Sequence, residues 1–183
     1  MSVRDVADTP WRALLDQSVE AFNQYRAGHP DEAVTLVGAN LQGLTLAGAD
    51  LHGASLFEAD LAWVDLTDAD LRGADLRRCR MEGCNLTGAC LDGARMELAN
   101  LRTARLPGAS LRAVNLKGGV FQGANLRGAS LCGAVLQRAV LCDADLTGAV
   151  FTGADLSEAD LRWATYRLDD MADADLRTAR IRY

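Results

Sequence analysis

From Leu36 to Ile181 a large apolar residue recurs at every fifth position, through Leu41, Leu46, Leu51, Met81, Met96, Phe121, Phe151, Tyr166 and Met171, without an insertion. Two positions before it stands a small residue, mostly alanine (Ala39, Ala49, Ala54, Ala59), and two positions after it glycine is commonest (Gly43, Gly48, Gly53). No regular helix or flat strand buries such a pattern. Five helical steps rotate a side chain by about 140°, so the leucines would spiral around every side. On a strand the odd period would send successive leucines to opposite faces. The leucines share a core only if the chain turns a corner once per repeat and stacks coil upon coil, so the pattern predicts a solenoid.

Outward charges indicate how many repeats make a coil, because residues one coil apart stack about 4.8 Å from each other and favour opposite signs. At a spacing of 20 the residue after the central Leu pairs Arg72 with Asp92, Asp92 with Arg112, Arg77 with Glu97, Glu97 with Lys117 and Glu82 with Arg102. Spacings of 15 and 25 give no such preference. Four repeats per coil are predicted, with these residues forming ion ladders along the surface.

The run A-(D/N)-L-x-G, as in Ala49-Asp50-Leu51-His52-Gly53 and Ala124-Asn125-Leu126-Arg127-Gly128, resembles the pentapeptide-repeat family. The resemblance implies an all-β solenoid, a right-handed quadrilateral β-helix with the central Leu and the preceding Ala inside. Residues 34–183 are assigned to the β-helix and 1–33 to an N-terminal segment. Within that segment the spacing of Trp11, Leu14, Leu15, Val19 and Phe22 predicts an amphipathic helix over about 10–27. Its apolar face is broken only by Ser18. Asp8 or Thr9 would serve as N-cap, Pro10 as first helical residue and Gly28 as the stop. The helix is expected to lie over the first coil as a lid; a groove formed by Trp11 and Phe22 is the competing reading. Near the other end Tyr166 replaces the central Leu and Asp169 falls on an inward corner, so a distorted turn or an exposed corner is expected over 166–171.

Composition narrows function. The net charge is −6, with no basic face of the kind a nucleic-acid binder carries. Cys79, Cys84, Cys90, Cys132 and Cys142 form no CxxC pair, and His29 and His52 lack ligand or catalytic companions. Reduced thiols, no metal, no cofactor and no catalytic residues are expected. The first ten residues lack the apolar stretch of a signal peptide and no apolar run is long enough for a membrane span, so a cytoplasmic protein is expected.

Two functions from different classes fit. One is a non-enzymatic scaffold that binds a protein partner. Trp63 and Trp163 follow the central Leu by two positions and stand on the same face, and exposed Trp is common at binding sites; a Trp lying flat over neighbouring coils is the plainer alternative. The other follows from the family resemblance: a DNA-mimicking rod that binds type II topoisomerase (DNA gyrase) and protects it from quinolone-type inhibitors. That mode needs an acidic face. Sorting outward residues by position modulo 20 leaves one, with Asp50, Asp70, Asp92, Asp170 and Asp173 against Arg72 and Arg112. A net of −3 along a whole rod is weak mimicry of phosphates, and the scaffold reading leads. The resemblance also implies a homodimer through the C-terminal coils, to which Tyr183 would contribute. Val120, Val135, Val140 and Val150 replace the usual Asp or Asn, but fall on three of the four faces and are read as strand formers.

Overall fold

The computed structural model describes residues 10–181. From Thr35 onward one residue of each repeat bridges, in parallel, the residue 20 positions further on, beginning with Thr35 to Ser55 and Asn40 to Asp60 and ending with Asp160 to Arg180. Twenty residues per coil is four repeats per coil, as the charge spacing predicts. The bridges stay isolated and never lengthen into strands, because each five-residue side spends its other residues on a corner.

The corner is a hydrogen-bonded turn. In the repeat at Leu41, the N–H of Leu44 donates to the carbonyl of Leu41 at 3.1 Å, and Gly43 between them has φ +70°. A positive φ at the third residue of a turn favours glycine. Between coils, Leu41 N–H donates to Asp60 and Gly43 N–H to Ala62, while Asp60 N–H returns to Ala39, at 2.9 to 3.0 Å. The ladder leaves few backbone groups unpaired, and the side chains it turns inward are the central Leu and the preceding Ala. Leu36 through Leu161 are fully buried at the central positions. Cys79 and Cys84 fill two inward Ala positions, and burial pushes both thiols up to about 12.

One inward position carries no side chain. At Gly119 a Cβ would stand 3.2 Å from the Phe121 ring and 3.1 Å from the Leu116 carbonyl oxygen. The glycine makes room for the Phe121 ring at a position that is Leu in most repeats. Gly119→Ala is therefore expected to cost about 1–3 kcal/mol by overpacking, and Phe121→Leu in the same chain to recover much of that. Denaturant titrations of the two single variants and the double variant check the coupling.

The N-terminal segment holds two helices rather than one. α1 spans Pro10–Gln17 and α2 spans Val19–Gly28. Ser18 interrupts the helix as well as its apolar face: it takes an extended φ of −173°, and its hydroxyl accepts the N–H of Ala21 as the N-cap of α2. Serine at that position competes for backbone groups and favours a cap over a helix interior. Gly28 is the last helical residue, followed by His29. The proposed caps Asp8 and Thr9 lie outside the described residues. Trp11, Leu15 and Phe22 are buried in one cluster with Leu36 and the coils, and Leu14 and Val19 pack against it half-buried. Trp11 meets Phe22 and Tyr25 edge-on, with ring centres 5.8 and 5.5 Å apart. Trp11 and Phe22 are thus buried against the core.

α2 also replaces a missing coil. The N–H of Asp70 donates to Ala49 in the coil before it, at 3.0 Å. Asp50 has no such coil before it; its N–H donates instead to Asn23 Oδ1 at 2.9 Å, and Asn23 Nδ2 donates to the Gly48 carbonyl. A buried backbone donor needs a partner, and the helix supplies one.

At the other end the coil breaks where Tyr166 and Asp169 predict. A short 3-10 helix runs over Leu168–Met171, and the bridge between Val150 and Asp170 is missing from the series. Asp169 is swung into solvent beside Arg167. Asp170 patches the ladder, its carboxylate accepting the N–H of Gly148 at 3.1 Å. Bridging resumes at Asp155 to Asp175. Among the described residues no helix is long and apolar enough to cross a membrane.

Candidate interaction surface

Trp63 and Trp163 occupy the third residue of their corner turns, where glycine would be usual, with φ of 60° and 64°. For a bulky L-residue that conformation costs about 1–2 kcal/mol. Their indoles are nevertheless 61% and 62% exposed, so burial does little to offset the strain. The Trp63 ring lies along the corner over Gly83, one coil on, where a Cβ would collide with it. One face of the Trp63 ring rests on the neighbouring coil and the other is open. The two tryptophans share one corner of the rod, 100 residues and hence five coils apart, a separation of about 24 Å at sheet spacing. Gly83, Thr103, Gly123 and Asp143 line the corner between them.

The acidic residues Asp50, Asp70 and Asp92 share a different side, and each already has a partner. Arg26 of α2, itself buried, brings its guanidinium 3.1 Å from Asp50 and donates to the His52 carbonyl at 2.5 Å. Asp70 is held by its own strand neighbour Arg72, at 2.5 to 3.1 Å. Asp92 accepts from Ser110 Oγ and from the N–H of Arg112. The sequence placed no companions beside His52, but its ring nitrogen, Asp50 and Asp70 offer oxygen and nitrogen atoms within 4.8 Å of one another. Arg26, 2.9 Å from that ring nitrogen, already supplies the cation.

The ion ladders form differently from the sequence expectation. Arg72 and Arg77 turn to Asp70 and Asp75 on their own strands instead of to Asp92 and Glu97. The geometry is local: the N–H of Arg77 binds the carboxylate of Asp75, which places the Arg77 side chain beside the same group. Arg77 also lies over the Phe57 ring, 5.3 Å from its centre. Ion pairs across one coil do occur, at Arg80 with Asp60, Arg78 with Glu58, Arg95 with Asp75 and Arg138 with Glu158. Exposed pairs of this kind contribute little each.

Charge changes sign along the rod although each side is nearly balanced. Residues 56–75 carry six carboxylates against Arg72, a net of −5. Residues 76–95 carry four arginines against Glu82 and Asp92, a net of +2. Residues 96–135 carry Arg102, Arg105, Arg112, Lys117 and Arg127 against Glu97 alone, a net of +4. Residues 136–175 return to −6, with nine carboxylates against three arginines. The rod is cationic at its waist and anionic on either side. Most arginines at the boundaries pair with a neighbouring carboxylate, whereas among the described residues Arg102, Arg105, Arg112 and Lys117 have no ion pair. Arg102 donates only to Gln122, at 2.6 Å.

Several aspartates are held ionised by arginines. The Arg162 guanidinium holds Asp160 down at about 2, and Arg177 does the same for Asp175. Asp70 and Asp75 are lowered by Arg72 and Arg77. A carboxylate whose folded pKa lies below its unfolded value contributes stability above the unfolded value, and that contribution is lost as pH falls through the folded one. Stability is therefore expected to be flat from pH 7 to about 5 and to decline between about pH 4 and 2. Urea titrations at pH 7, 5, 4 and 2.5 check this; a decline already complete by pH 5 would contradict the assignment.

The family model described as pentapeptide repeats matches in eight copies, over residues 36–73, 65–102, 96–131 and 124–162. No curated protein sequence matches the chain. Among solved structures, QnrB1, a plasmid-mediated fluoroquinolone resistance protein, is 20% identical, covering 82% of this chain and 90% of its own, with a TM-score of 0.48. Rfr23, a pentapeptide repeat protein from the cyanobacterium Cyanothece 51142, is 25% identical over 79% of this chain and 97% of its own, with a TM-score of 0.49. HetL, a pentapeptide repeat protein involved in heterocyst differentiation regulation in Nostoc sp. strain PCC 7120, is 32% identical over 81% of this chain and 77% of its own, with a TM-score of 0.26. The repeat at every fifth residue, the four-sided coil and the family match over residues 36–162 agree: the chain belongs to the pentapeptide-repeat family.

Proposed function

We infer that this chain is a non-enzymatic scaffold that binds another protein, with its N-terminal helices as the lid of a right-handed rod. The observation that carries the reading is the pair of exposed tryptophans on one corner of the rod. Exposed tryptophan is the kind of feature that binding sites retain. The Trp63–Trp163 corner is the proposed contact surface. A cytoplasmic location and a homodimer through the C-terminal coils belong to the same reading. Tyr166, Leu176 and Ile181 at that end are only half-buried; Tyr183 lies outside the described residues.

The topoisomerase reading draws less support. Asp50, Asp70 and Asp92 are engaged by Arg26, Arg72, Ser110 and the Arg112 N–H, and the cationic waist interrupts any continuous phosphate-like surface. Affinity capture separates the two. The wild type is expected to retain a protein that the Trp63→Gly/Trp163→Gly variant does not, and to leave gyrase supercoiling unaffected. Capture that ignores both tryptophans, together with gyrase inhibition lost on neutralising Asp50, Asp70 and Asp92, would establish the topoisomerase reading instead.

A further inference from the structure

The waist and the tryptophan corner coincide. Two coils from Trp63 and three from Trp163 the corner residue is Thr103, and Arg102 and Arg105 flank it, one on each adjoining side of the rod, both exposed. Neither has a carboxylate partner among the described residues. Gly123 keeps the corner low beyond Thr103, while the Trp63 ring itself covers Gly83. Glu82 stands one coil from both the Trp63 repeat and Arg102, and Asp143 one coil from Trp163, so the positive charge of Arg102 and Arg105 lies between two carboxylates along the strip.

We propose, building on the protein-binding reading above, that this corner docks an extended acidic segment of the partner, with its acids between two apolar anchors. Unpaired guanidinium groups recognise carboxylates by paired, charge-assisted hydrogen bonds. The exposed indoles take the apolar anchors, and the low corner lets a backbone lie between them. In an extended segment, side chains on one face recur at even spacings. Anchors six residues apart span about 20 Å and eight apart about 27 Å, bracketing the tryptophan separation, whereas at seven the second anchor points away. The alternative occupant of an arginine and aromatic surface is single-stranded nucleic acid, which stacks bases on aromatics and places phosphates on arginines. The anionic coils on both sides of the waist oppose that longer polyanion and favour a short acidic stretch.

Dye-labelled peptides carrying two phenylalanines and three central aspartates, titrated against the full chain by fluorescence anisotropy, test the proposal. The peptides with anchors six or eight apart are expected to bind at least ten-fold tighter than the one with seven, and than the same peptides with central lysines. Arg102→Gln/Arg105→Gln should weaken binding at least ten-fold and flatten its salt dependence. Trp63→Gly and Trp163→Gly should each weaken it similarly while fitting the turn that glycine occupies elsewhere. Lys117→Gln, on another side of the waist, should change nothing. Equal binding of acidic and basic peptides, indifference to the arginines, or tighter binding of a ten-nucleotide single-stranded DNA would overturn the proposal. If no peptide binds while protein capture still depends on both tryptophans, this inference falls and the scaffold reading stands. If capture is lost as well, both fall.

Discussion

Leu101→Ala is expected to destabilise the rod by about 2–5 kcal/mol, through lost burial and the cavity left behind. Leu101 is fully buried in a middle coil, with Met81 and Phe121 at the equivalent positions of the adjoining coils. A solenoid offers little to refill the space: each layer contacts only its neighbours, and the backbone ladder holds Leu101 N–H on Val120 at 2.7 Å. The contrast is Gln122→Ala, on the outer surface. Gln122 accepts a hydrogen bond from Arg102, and its loss should change stability by no more than about 0.5 kcal/mol. Denaturant titrations of both variants read the difference. Equal effects would refute the assignment of the central column to the interior.

Phe22→Ala is expected to cost about 3–5 kcal/mol, with its effect concentrated at the N-terminal end. Phe22 is fully buried although it belongs to a helix outside the repeats, and α2 reaches the first coil through Asn23 and Arg26 as well. Removing the ring should loosen α2 and expose the apolar end of the first coil. Amide exchange at Asp50, whose N–H depends on Asn23, should then accelerate, while Leu101 stays protected. If the cost is below about 1 kcal/mol and Asp50 exchange is unaltered, the helices do not serve as the lid.

These two expectations rest on features of unequal visibility in the sequence. The column of Leu101 is legible because a period of five leaves no other way to bury its members, and the four-sided coil is legible in the charges 20 residues apart. The distortion at 166–171 is announced by an aromatic and an aspartate in positions that should be apolar and small. The break at Ser18 was signalled by the same residue that interrupts the apolar face, yet a gap in one face does not by itself separate a helix from two. The partners of individual charges were less legible. Spacing identifies which residues stack, but Arg72 and Arg77 choose between a carboxylate on their own strand and one on the next coil by local geometry. Arg26 beside Asp50 was out of reach, because it joins a helix to a coil across 24 residues with no shared period. The cationic waist is legible only once the coil length is fixed, because its charges are spread over several sides and offset on each by the carboxylates of other coils.

The most direct test of the central claim, that the Trp63–Trp163 corner is where a partner binds, is site-specific photo-crosslinking. Trp63→benzoylphenylalanine and Trp163→benzoylphenylalanine, each in the full chain, should yield a crosslinked adduct to the same protein, competed by excess wild type. Lys117→benzoylphenylalanine, on another side of the rod, should yield none. No adduct at positions 63 and 163, or the same adduct at position 117, would contradict the account.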